Sequence, residues 1–207
     1  MAAPEAVAEP LLSLLDLAEP AIVLVGLPLA ASSDGPDERC TVLVGVSSEY
    51  EVSAGVRPFF DLLATPQPES VVRKWLADDG SPSTALDQLA AAGRVVIVAP
   101  GTPAETIAQL EGWRLYSVGD VIDWKATDPL RSESIALIGD VQFPQLAVPV
   151  STVLIDAAQR GGVDLPRALE LVAEAQDRPH DDVVLDALTW LPVLLASGFG
   201  FIGPVGD

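Results

Sequence analysis

The chain has 207 residues, 49% of them hydrophobic, with 30 acidic against 11 basic side chains and a formal charge of −19. That apolar content can offset chain entropy by burial, so a disordered acidic tail is excluded, and the length suits one large domain or two small ones. Lys74 and Lys125 are the only lysines, and the nine arginines stand singly except where Arg73 meets Lys74, which excludes a nucleic-acid partner and disfavours an anionic membrane surface.

In chain order, residues 1–15 are rich in Ala and Leu but carry no basic residue, include Glu5 and Glu9, and are broken by Pro4 and Pro10. This is a poor signal peptide, and a cytoplasmic location is the expectation. An apolar run at 21–27, a turn-rich loop at 32–38 and a second apolar run at 41–46 read as paired strands, and 50–53 alternates like a third. Periodicity then predicts helices over 56–64, 69–78 and 84–92, with a turn at Asp78, Asp79 and Gly80 and Ser83 as an N-cap, and a strand over 95–98 after Gly93.

The second half reads alike. Apolar runs at 113–122 and 135–138 flank a polar loop at 126–129, a piece at 143–148 follows, and helices are predicted over 150–159, 165–175 and 181–196 before a short strand at 200–202. The uncharged stretch 187–206 nears the length of a membrane span. Pro192 interrupts one end, Gly198, Gly200, Gly203 and Pro204 crowd the other, and no flanking cation sets an orientation, so a buried helix and a glycine turn are expected instead.

The two halves align as an internal repeat. Residues 41–46 match 135–140 in type, placing Gly45 over Gly139, Val52 over Leu146, Val56 over Val150 and Phe59 over Val153. Farther on, 68–76 corresponds to 164–172, and Leu86, Leu89 and Gly93 correspond to Leu191, Leu194 and Gly198. The expected units are 1–101 and 102–207, carrying −9 and −10, so the acidity belongs to each unit and not to one tail. The expected fold class is α+β: two tandem winged-helix-like units, each with short N-terminal strands followed by three helices and a wing-like strand. The competing arrangement is a βα unit of an α/β fold made from 95–100 and 103–110.

Strands ending at 50–53, an apolar helix around Phe59, Phe60, Leu62 and Leu63, a helix over 68–76, and a Leu86-x-x-Leu89-x-x-x-Gly93 helix end together carry a further likeness. In this order they resemble the PqqD-like winged-helix fold of RiPP recognition elements, here duplicated in tandem. The resemblance implies an exposed strand edge that takes an extended leader peptide beside the third helix. On that implication the peptide-binding residues are Tyr50, Val52 and Leu86 in the first unit and Phe143, Leu146 and Leu191 in the second, with 84–92 and 181–196 as the adjacent helices.

No residue set argues for catalysis, so a non-enzymatic protein is expected. A literal G-x-G-x-x-G stands at Gly198, Gly200 and Gly203, but a dinucleotide site needs a strand before it and a helix after it, and here a helix precedes and the chain ends. His180, Asp181 and Asp182 lack further imidazole ligands and read as a helix start. The pair Asp78 and Asp79 lacks calcium-loop spacing. Cys40, with no partner for a disulfide, follows Asp37 and Glu38, which disfavour a thiolate, and reads as a packed residue. Trp75 and Trp190 read as core, and Trp113 and Trp124 as packing between the units. No cofactor and no metal are therefore expected. The expected partner is a peptide or protein, basic given the charge; the alternative is an acidic scaffold that forms a homodimer. DNA reading is disfavoured because the third helices carry Asp87, or Asp181, Asp182 and Asp186.

Overall fold

A computed structural model describes residues 14–29, 39–45, 48–117, 120–125, 135–139 and 146–206. Strand β1 (Ala21–Leu24) is buried along its whole length. It pairs antiparallel with β5 (Gln67–Pro68) on one side and β6 (Val95–Val98) on the other. Between β1 and β5 come β2 (Leu27–Pro28), β3 (Arg39–Leu43) and β4 (Glu49–Ser53), an antiparallel meander in that order. A short 3-10 turn (Ala54–Val56) leads into α1 (Arg57–Leu62); α2 (Glu69–Asp78) and α3 (Ala85–Ala91) follow before β6.

The second stretch opens with α4 (Pro103–Ala108), held by a capping box in which Thr102 and Glu105 satisfy each other's backbone N–H. Glu105 accepts from both the backbone N–H and the hydroxyl of Thr102, and this holds its carboxyl below the usual range. Then come β7 (Trp113–Ser117), β8 (Asp120–Lys125), β9 (Ile135–Gly139), β10 (Leu146–Pro149), α5 (Val150–Gln159), α6 (Leu165–Gln176), α7 (His180–Ser197) and β11 (Gly200–Pro204). Strands β8, β9 and β10 form a second antiparallel meander, and β11 pairs antiparallel with β7. The described chain is thus a mixed α+β protein with small antiparallel sheets.

Two strand expectations are corrected. The run 21–27 is not one strand paired with 41–46: it breaks at Gly26, so β1 joins β5 and β6 while only β2 reaches β3. Gly26 has φ +95°, and a Cβ there would stand 2.5 Å from the Leu43 carbonyl oxygen, so only glycine allows the chain to turn this close to β3. The run 113–122 divides in the same way, β7 pairing with β11 and β8 with β9. The closing strands β6 and β11 accordingly pair with the first strands of their halves. The stretch 95–110 is a strand followed by a helix, β6 and α4, with β6 antiparallel to β1.

Strand alternation explains the unbroken apolar runs in β1 and β6. Ala21, Val23, Val96 and Val98 face one core with Leu169, Leu188 and Ile202, whereas Ile22, Leu24 and Val95 face another with Val42, Phe60, Val72 and Leu86. A sheet covered on both faces needs no polar alternation. The larger core therefore draws side chains from both sides of residue 101. The same sheet meets β11 through a parallel bridge between Val25 and Ile202, and Gly26 N–H donates to the Ile202 carbonyl at 2.7 Å. In α6, Leu165, Ala168, Leu169, Val172 and Ala173 keep the i, i+3, i+4 spacing of one helical face, and that face is buried.

Candidate functional site

Strand β4 alternates between exposed Glu49, Glu51 and Ser53 and half-buried Tyr50 and Val52. The two inward residues pack against the core that holds Leu86 and Phe59. The Val44 N–H donates to the Ser48 carbonyl at 2.9 Å, in register with the pairs Val42 to Tyr50 and Cys40 to Val52. In an antiparallel ladder bonded and non-bonded pairs alternate. The backbone groups of Tyr50 and Val52 therefore turn toward β3, and those of Glu49, Glu51 and Ser53 turn away. Among the described residues no strand pairs on that outer side.

Elsewhere in the fold side chains cover the backbone just past one strand and along the edge of another. The Gln109 amide accepts from the Ala99 N–H at 2.7 Å and donates to the Ala99 carbonyl at 3.0 Å, just past β6. Fully buried Gln159 accepts from the Leu115 N–H of β7 at 3.1 Å. Strand β5 is two residues long and ends in Pro68. Such devices keep edges from pairing with other chains.

Where β4 ends, a groove of about 360 Å³ opens between the 3-10 turn, α1, α2 and α3. Phe59 and Trp75 lie in it with ring centroids 5.4 Å apart and planes at 44°, and Val56, Leu89 and Asp79 line it as well. Val56 is 36% exposed, which is high for a large apolar side chain beside a groove.

The residues expected at a peptide face are placed differently from one another. Tyr50 and Val52 stand on β4, at the open edge. Leu86 and Leu191 are correctly placed on α3 and α7, but at 1% and 3% exposure they are core residues with no surface to offer a peptide. That part of the expectation is revised: on α3, the groove is lined by Ala85, Gln88 and Leu89, the last one turn from Leu86. Leu146 is in β10, opposite Ile138, and Phe143 lies outside the described residues. The groove residues Val56, Trp75 and Asp79 were not expected there. Trp75 carried the signal, as a large ring one turn before an acidic helix end.

The Tyr50 ring lies under the Arg94 guanidinium, 3.7 Å from its centroid. Burial pushes the Tyr50 phenol above its ordinary value, and the Arg94 charge and hydrogen bond pull it part of the way back. Arg94→Met is therefore expected to raise the Tyr50 ionisation further, as read from a phenolate absorbance titration; a downward shift would show that Arg94 does not face the ring. The stability linked to this group is present below the unfolded tyrosine value and is lost as pH rises through the folded one, so it affects only the alkaline limb.

The remaining motifs take the following places where described. Cys40 is buried and its thiol donates to the Leu29 carbonyl. Gly198 ends α7 in the left-handed conformation, while Gly200 and Gly203 belong to β11. His180, Asp181 and Asp182 form the first turn of α7. Trp190 packs on the larger core, and Trp113 packs on it from β7 while reaching Gly93, across residue 101. Trp124 stands in β8. Among the described residues no group of three or more His, Cys, Asp or Glu side chains is placed to hold a metal, and no helix is long and apolar enough to cross a membrane. No family model matches this chain, and no curated protein or solved structure proved significantly similar to it.

Proposed function

We propose that this is a non-catalytic, cytoplasmic peptide- or protein-binding accessory protein, built from two tandem winged-helix-like units over 1–101 and 102–207, that captures an extended segment by strand addition to β4. The observation that carries the reading is the outward backbone of Glu49, Glu51 and Ser53 beside an apolar groove, in a fold where side-chain amides cover the backbone past β6 and along β7. Strand addition takes affinity from backbone hydrogen bonds and selectivity from neighbouring pockets. The likeness to RiPP recognition elements is supported by the order of a three-strand meander followed by three helices, and duplication by the recurrence of that order from β7 to β11. A leader peptide or a segment of a modifying enzyme fits such a role. Glu49 on the open strand and the overall charge of −19 favour a basic segment, while Glu51 is already joined to Arg39 at 3.0 Å.

The second reading is an acidic scaffold that dimerises without peptide recognition. The same open edge favours it, because a second β4 could pair there; an antiparallel pairing centred on Glu51 would set like charges face to face, which is why the first reading is preferred. Light scattering separates them: a strict monomer counts against the scaffold.

Decapeptides selected on the full-length protein from a random displayed library are expected to shift the backbone amides of Glu49, Glu51 and Ser53. Glu51→Pro removes an outward N–H, leaves the backbone ladder with β3 in place and gives up only the exposed ion pair from Glu51 to Arg39, and is expected to weaken such peptides about tenfold or more. Selected peptides that leave these amides unmoved and ignore the proline would sink the reading.

A further inference from the structure

The groove at the end of β4 has an apolar floor and one ionisable side chain in its lining. Phe59, Trp75, Val56 and Leu89 supply the apolar surface, and Asp79 supplies a carboxylate. Asp79 is exposed at the C-terminal end of α2 and makes no ion pair among the described residues. The nearest arginine on the same helix cannot neutralise it: Arg73 is bound to Glu69 at 2.6 Å and to Asp87 at 2.9 Å. No Lys or Arg lines the groove.

An occupant that covered Asp79 with an aliphatic or aromatic side chain alone would strip water from a carboxylate and return nothing. A cation on a long apolar stem satisfies both parts of the lining. Its methylenes lie on Val56 and Leu89, and its charge meets Asp79. Between the two basic side chains, arginine fits better, because a planar guanidinium can stack on an indole and bind a carboxylate through two N–H groups, whereas an ammonium is a compact, strongly hydrated charge.

We infer that the groove is a subsite for a basic side chain, arginine before lysine, on the segment that β4 receives. The inference rests on the strand-addition reading for what delivers the side chain, and on the groove's own chemistry for what it accepts. Gly55 and Val56 stand two and three residues past the end of β4, so a segment running past Ser53 reaches the groove within about two or three residues, at roughly 3.3 Å per residue.

The test uses the full chain and the random decapeptide pool. The expected result is enrichment of arginine at one position, with that preference lost when selection is repeated on Asp79→Asn. Replacing that arginine by citrulline, which keeps shape and removes charge, is expected to weaken binding about tenfold. A pool that depends on the β4 edge, shown by its loss in Glu51→Pro, yet has no cationic position or keeps its preference on Asp79→Asn, overturns the subsite and leaves strand addition standing. A pool indifferent to Glu51→Pro, or no pool at all, removes strand addition. The subsite is then decided by titrating Nα-acetyl-arginine methylamide against the Trp75 indole N–H signal: a shift abolished by Asp79→Asn retains it, and no shift ends it.

Discussion

Gly203→Ala is expected to destabilise the protein by about 3 kcal/mol or more, read as a lower midpoint in denaturant at unchanged slope. A Cβ on Gly203 would stand 2.0 Å from the Val44 carbonyl oxygen and 2.8 Å from the Tyr116 ring. Neither neighbour yields easily. The oxygen belongs to the backbone at the end of β3, whose N–H is itself bound to Ser48, and the Tyr116 hydroxyl donates to the Pro204 carbonyl at 2.9 Å while its ring stacks on Phe201. Relief requires β11 to move away from β3, which also strains the bond from Gly26 N–H to the Ile202 carbonyl. A change below 1 kcal/mol would mean that the closing strand does not press against the first meander in this way.

The second large effect separates two leucines one helical turn apart. Leu86→Ala is expected to cost about 2–5 kcal/mol, because Leu86 is fully buried between β1, β6 and α1 to α3 and its loss leaves a cavity. Leu89→Ala, at the half-buried groove wall, is expected to cost about 1 kcal/mol or less while weakening the selected decapeptides. Chemical unfolding and peptide titration of both variants check the contrast. Equal stability losses, or weaker peptide binding only in Leu86→Ala, would return Leu86 to the binding face.

That pair also marks where the sequence stops being legible. Helical periodicity is local, so the bounds expected for 69–78 and 150–159 are those observed for α2 and α5. Leu86 and Leu89 occupy the same apolar stripe, and spacing alone does not say which one meets the sheet and which meets the groove. Strand pairing was harder to read, because partners are set by long-range packing. Nothing local to 21–27 announces that Gly26 sends the first half to β6 and the second to β3, although a lone glycine within an apolar run is the kind of residue that marks such a break. The edge residues Tyr50 and Val52 were legible from alternation. The groove was not, since Phe59, Trp75 and Asp79 come from two helices and meet only in the fold.

The sheet of β5, β1 and β6 works as a party wall. Each core leans on it from one side, so removing 102–207 would not leave a smaller intact protein but a wall with one face bare, including Val23, Val96 and Val98, and removing 1–101 would take away the wall itself. The two halves, however alike in order, are therefore not interchangeable cassettes. The larger core takes side chains from both, whereas the smaller one is built from 1–101 alone.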